Sequence, residues 1–153
     1  MLPRSRSVIL AVVAFLVLAP LSLGTGIEYV GLRIGLPFGH LPWLVGIEVG
    51  TRLSFGWGLA SLLVASDGRT LIVGSLDYVL GERGGTTEPA VRISLGLSYF
   101  DLEAPLPSPC FGGGVTCALS PFAGARTAVA AEVLYPIAFG PPLFTLGGGW
   151  SPQ

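Results

Sequence analysis

Lysine is absent from the sequence, so all eight basic residues are Arg. Charge of either sign is scarce, at 11% of 153 residues against about 25% in an ordinary soluble domain. A soluble protein of this length covers itself with Lys and Glu, and this chain lacks the residues for such a surface. Beyond residue 24 no unbroken apolar run reaches the ~20 residues of a spanning helix, which excludes a helical membrane domain. The Arg residues are scattered and the net charge is −1, so no basic cluster is available for nucleic acid. One His and two Cys cannot supply the four ligands of a structural zinc site. The G-x-S-x-G elbow, the G-x-G-x-x-G fingerprint and the Walker loop are all missing. No cofactor and no metal are expected.

What is abundant is apolar and small: 51% hydrophobic residues, 23 Gly and 13 Pro. Residues 1–24 read as a secretory signal peptide. Arg4 and Arg6 form a charged start, Val8 to Ala19 an apolar core, and Ser22-Leu23-Gly24 suits cleavage. The competing reading is a retained membrane anchor. No Cys lies near the cut, which argues against a lipid-anchored N-terminus. The mature chain, 25–153, is expected to form one domain, with six Arg against nine acids.

The mature chain alternates with a period of two. In 44–59, Val45, Ile47, Val49, Thr51, Leu53, Phe55, Trp57 and Leu59 oppose Gly46, Glu48, Gly50, Arg52, Ser54, Gly56 and Gly58. Successive side chains of a strand point opposite ways, so the two sets lie on opposite faces. The run is too long for one membrane strand, and a turn is expected near Ser54 to Gly58, where Gly can take positive φ. The same pattern recurs over 27–38, 70–80, 90–102, 122–135 and 143–150. It is poorest over 59–66. Asp67-Gly68 is a hairpin signal, and 81–89 and 101–120 read as loops. Seven strands result. A closed bacterial barrel has an even number, with eight the smallest. Either a short strand lies near Val115 to Leu119, or the sheet is open or closes between chains.

The choice of outer face follows from solvation. With the apolar face inward, water would meet a surface of Gly, Ala and Ser with flat edges prone to aggregation. With the apolar face outward, aliphatic side chains meet lipid, and small residues let the strands close on a narrow lumen. The sparse charges Arg33, Glu48, Arg52, Asp77, Arg92, Arg126 and Glu132 then pair inside, four Arg with three acids. Tyr29, Phe38, Trp43, Phe55, Trp57, Tyr78, Tyr99, Phe122 and Tyr135 fall near strand ends, where aromatic girdles belong. The expected fold is all-β: a small up-and-down antiparallel transmembrane barrel, facing membrane lipid and inserted in a bacterial outer membrane.

In this pattern, from Ile27 to Trp150, the chain resembles the small outer-membrane barrels of the OmpA and OmpX transmembrane type. Such barrels usually end on an aromatic residue read by the assembly machinery. Here Trp150 is followed by Ser151-Pro152-Gln153.

Chemistry-bearing residues are few. Cys110 and Cys117 enclose six residues in an exported chain, and a disulfide pinning loop 101–120, a candidate surface for a partner, is expected. Asp101 and Glu103 form a solvated rim or a weak Ca²⁺ site. His40 beside a turn reads as a polar turn residue. The alternative is a lipid-modifying hydrolase, with Ser54 or Ser98 reaching His40 across strands. A third reading is a secreted soluble β-domain holding an apolar ligand. A structural or surface-interaction role without catalysis is the expectation preferred.

Overall fold

Period-two patterning joined by short turns gives an antiparallel meander. In a computed structural model, described for residues 26–99, 108–122, 125–136 and 142–152, that meander closes. The segment expected to be a signal peptide, and Asp101 and Glu103, lie outside the described residues. The strands are β1 (Tyr29–Pro37), β2 (Leu44–Leu53), β3 (Gly56–Ala65), β4 (Thr70–Val79), β5 (Thr87–Tyr99), β6 (Ser108–Phe122), β7 (Ala125–Pro136) and β8 (Leu143–Pro152). Each pairs with its neighbour in sequence, and β8 returns to pair with β1. Every strand therefore has two partners, and the barrel presents no open edge. A path stepping between paired residues leaves β1 at Tyr29 and returns to it at Pro37, a stagger of eight residues.

The eighth strand is β6. It covers most of the segment expected to be a loop, including Gly112-Gly113-Gly114. Its outward positions are Phe111, Val115 and Leu119, so the alternation was present but diluted by Gly and Pro. This overturns two expectations. Residues 108–120 are a barrel strand, not a surface loop for a partner. The expected Cys110–Cys117 disulfide is not formed, and both thiols are free. Seven residues of extended chain separate them by about 23 Å, where a disulfide needs Cα atoms within about 7 Å. The odd spacing also puts them on opposite faces, with Cys110 buried in the lumen. The intact protein is expected to show no mass change of about 2 Da on reduction. A reagent confined to water should leave Cys110 unlabelled until the protein unfolds.

Hairpin geometry sets the faces. Ser54 and Phe55 form the β2–β3 turn, with Leu53 paired to Gly56. A two-residue turn inverts the phase, so Trp57 and Leu59, expected outside with Val45 and Ile47, point inward beside Arg52 and Gly50. The Asp67-Gly68 turn is as expected, with Gly68 at φ 87. Tyr29 also points in, and its ring lies 6.1 Å from that of Trp57. Gly31 makes room for it: a Cβ there would lie 2.7 Å from the Tyr29 hydroxyl.

The outside is greasy. Leu32 is 67% exposed, Ile47 55% and Ile93 66%, all in mid-strand. Exposed aromatics gather towards the two rims: Phe38, Trp43, Phe111 and Tyr135 at one, Tyr78 and Trp150 at the other. Phe111 stacks on Tyr135 and Phe55 on Tyr78. An aliphatic band between two aromatic rims is the surface of a transmembrane barrel.

Candidate functional site

With most of its large apolar residues outside, the barrel keeps its distinctive chemistry in the lumen, which is layered. At the end carrying the β1–β2, β3–β4 and β7–β8 loops, five leucines (Leu44, Leu63, Leu71, Leu134 and Leu143) pack with Val73, Ala65 and Cys110. None of the five is more than 1% exposed, so they close that end.

Beneath this cap lies a charged layer. Arg33 (β1) reaches Glu48 (β2) at 3.2 Å, contacts Glu132 (β7), and donates to Ser61 Oγ at 2.9 Å and Thr145 Oγ1 at 3.0 Å. Arg92 (β5) spans the lumen. Its Nε and Nη2 grip Asp77 (β4) at 2.7 and 2.9 Å, and its Nη1 reaches Glu48 Oε2 at 3.0 Å. Glu48 thus bridges the two guanidiniums, and Ser61 donates to it at 2.9 Å. Gly46, paired with Arg33, keeps this wall thin, since a Cβ there would overlap the Leu62 carbonyl and lie 2.6 Å from Leu63 Cα.

Of the seven charges singled out from sequence, Arg33, Glu48, Asp77, Arg92 and Glu132 meet in this layer, each no more than 2% exposed. The other two stand apart, nearer the end where β1 begins and β8 stops. Arg126 pairs with Glu88 at 2.7 Å. Arg52 is exposed at the mouth, its guanidinium carbon 5.6 Å from the centre of the Trp57 ring. Glu88 was missed because Pro89 made the segment read as a loop; in fact it lies on β5, inward and 3% exposed. Its place is set by parity with Arg92, four residues on.

The five central groups carry two positive and three negative formal charges, with Glu48 Oε1 and Glu132 Oε1 unpartnered among the described residues. Buried charges at this density need mutual pairing to offset desolvation. Below them a cavity of about 20 Å³ is lined by Tyr29, Trp57, Asp77, Arg92 and Thr116, among others. That is space for about one water, not for an apolar ligand of lipocalin type.

His40 is exposed in the β1–β2 loop, at the capped end. Ser54 sits in the β2–β3 turn at the opposite end, ten residues of β2 away. Ser98 is buried and donates to the Ser108 carbonyl at 3.1 Å. The hydrolase arrangement with Ser54 is therefore not assembled. Among the described residues, no group of three or more His, Cys, Asp or Glu is placed to hold a metal ion.

No family model matches the chain, and no curated protein matches its sequence. Among solved structures, the N-terminal β-barrel domain of Pseudomonas aeruginosa OprF is similar, with a TM-score of 0.59 at 16% identity. The match covers 80% of this chain and 96% of that one. With eight antiparallel strands in a closed ring, a charged lumen and an aliphatic exterior, the chain has the fold of the small OmpA-like outer-membrane barrels, consistent with a place in a bacterial outer membrane.

Proposed function

We propose that this protein is an integral outer-membrane barrel with a structural or surface-interaction role and no catalysis, its lumen serving as a filled core and not as a conduit. The observation that carries this reading is the inversion of faces. The exterior is aliphatic between aromatic rims, while the interior holds paired charges under an apolar cap. In eight-stranded barrels side chains fill the interior, and the five leucines leave little path for ions. The orientation that best suits small outer-membrane barrels puts short turns in the periplasm and longer loops outside. The two-residue β2–β3 turn, the start of β1 and the end of β8 share one end, so the capped end with His40, Phe38 and Trp43 would face outward.

The folded protein is expected to migrate differently on gels with and without boiling, and to stay with the membrane through alkaline extraction. Release as a monomer into buffer would overturn the membrane placement. In planar bilayers the expectation is no steady conductance; a stable open channel would remove the filled-core part of the reading while leaving the membrane placement intact.

A further inference from the structure

The Arg residues outside the central layer are unevenly placed. Arg69 is held at the capped end by Asp67 at 2.7 Å. Arg52, Arg83 and Arg126 all line one hollow of about 260 Å³ at the opposite mouth, together with Trp57, Gly84 and Glu88. Glu88 is the single acid in that lining, and it is already engaged. It accepts from the Gly84 backbone N–H and from Arg126 Nη2. Arg52 and Arg83 have no carboxylate within ion-pair distance among the described residues, and both are exposed. Two other acids stand near this end. Glu28 accepts from the Arg52 backbone N–H at 3.0 Å, and Glu82 is exposed beside Arg83 in sequence, but neither lines the hollow. The lining thus sets three guanidiniums against one carboxylate, with Glu88 shared between Arg126 and the more distant Arg52, an excess of two positive charges.

Its form suits a ligand as well as its charge does. The Trp57 ring lies against the tilted ring of Tyr29 and carries the Arg52 guanidinium, a contact that limits where that guanidinium can swing. Arg126 is held by Ser120 Oγ at 3.2 Å in addition to Glu88. The β4–β5 loop turns back over the mouth through Gly81 and Gly84, both at positive φ, and so brings Arg83 to the rim. Guanidinium forks match the geometry of tetrahedral and planar oxyanions, whereas a lone ammonium acts only as a point charge. In a chain that uses Arg for every basic residue, three forks around one hollow are a recognition surface of stated chemistry.

We propose that this mouth is an oxyanion site for a phosphate-bearing ligand, with Arg52 and Arg83 supplying the unmatched charge and Arg126 held in place by Glu88. The phosphate can come from the headgroup of an anionic phospholipid in the adjoining leaflet or from a soluble phosphorylated molecule.

The test uses the folded protein in a nonionic maltoside at low salt, with pyrophosphate as the soluble probe. Calorimetry is expected to show saturable binding, weakened by about tenfold or more in the double variant R52Q/R83Q. The second arm uses phosphatidylcholine vesicles carrying a fixed fraction of lipid with brominated acyl chains, either phosphatidylglycerol or phosphatidylcholine. Quenching of Trp57, isolated in a W43F/W150F background, is expected to be stronger with the brominated phosphatidylglycerol than with the brominated phosphatidylcholine, and that excess to fall in the same double variant. Binding in the first arm alone identifies a soluble source, and binding in the second alone a headgroup; either supports the site. No binding in both arms, or binding that the double variant leaves unchanged, overturns it. Both Arg side chains are exposed, so the variant is expected to fold, and its unboiled gel mobility checks this.

Discussion

Replacing Arg92 with Leu is expected to destabilise the folded barrel by about 3–5 kcal/mol. Arg92 makes two hydrogen bonds to Asp77 and one to Glu48, and all three groups are essentially buried. The Leu variant leaves two carboxylates in the lumen with only Arg33 to compensate three acids in the layer. Losing one partner of a buried pair costs far more than the pair contributes against an apolar substitute, because the remaining charge stays desolvated. Arg83→Leu, in the exposed β4–β5 loop, is expected to fall within about 0.5 kcal/mol of the parent. Arg52→Leu should cost only about 1 kcal/mol, the scale of one exposed cation–π contact. Urea unfolding in lipid vesicles, followed by the unboiled gel band, gives the ranking. An Arg52 effect as large as that of Arg92 would contradict the separation of mouth from charged layer.

Ile47→Arg is expected to cost about 2–4 kcal/mol in a bilayer, the range for a cation at the middle of a lipid-facing strand. Ile47 is 55% exposed, and its outward neighbours across the ladders are Leu32 and Leu62. In a water-soluble sheet the same change would be close to neutral, since it replaces an exposed apolar side chain with a solvated one. The sign and size of this one substitution therefore report what the outer face touches. Thr87→Arg, at an exposed strand start on the rim, is the matched control and should cost no more than about 1 kcal/mol. Equal, small effects at both positions would mean that the apolar band does not meet lipid.

The barrel was legible in the sequence because its strands obey two rules at once. Small or charged residues alternate with aliphatic ones, and the charges of opposite sign recur in the same phase. Arg33, Glu48, Asp77, Arg92 and Glu132 could be assigned to one interior from parity alone. Their partners could not, since which Arg meets which acid depends on register around the ring. Glu48 touches Arg92 across 44 residues of sequence. The strand β3 was expected over about 57–66 but with its faces reversed, and the five-leucine cap and β6 escaped, each for an identifiable reason. β3 carries Leu59, Leu63 and Ala65 inward as well as Leu62 and Val64 outward, so its alternation vanishes. The five-leucine cap was invisible for the same cause, as leucine on both faces hides the period. β6 is interrupted by Gly112-Gly113-Gly114 and by Pro109, residues that usually mark loops. Here Gly113 is outward, while Gly112 and Gly114 stand where a Cβ would meet the backbones of Val133 and Ala131.

The eight-residue stagger also fixes how tall the barrel stands. Eight strands with a shear of eight tilt by about 36° from the axis. Strands of ten residues, such as β2, β3, β4 and β8, are about 33 Å long at ~3.3 Å per residue, and at that inclination rise about 27 Å. This is close to the roughly 25 Å apolar height of outer-membrane barrels and short of the ~30 Å hydrocarbon core of a typical bilayer. The protein is thus matched to a thin membrane. In a thick one it would draw the leaflets together around itself, at a cost growing with each ångström of mismatch, and insertion should be fastest and stability greatest in short-chain lipids.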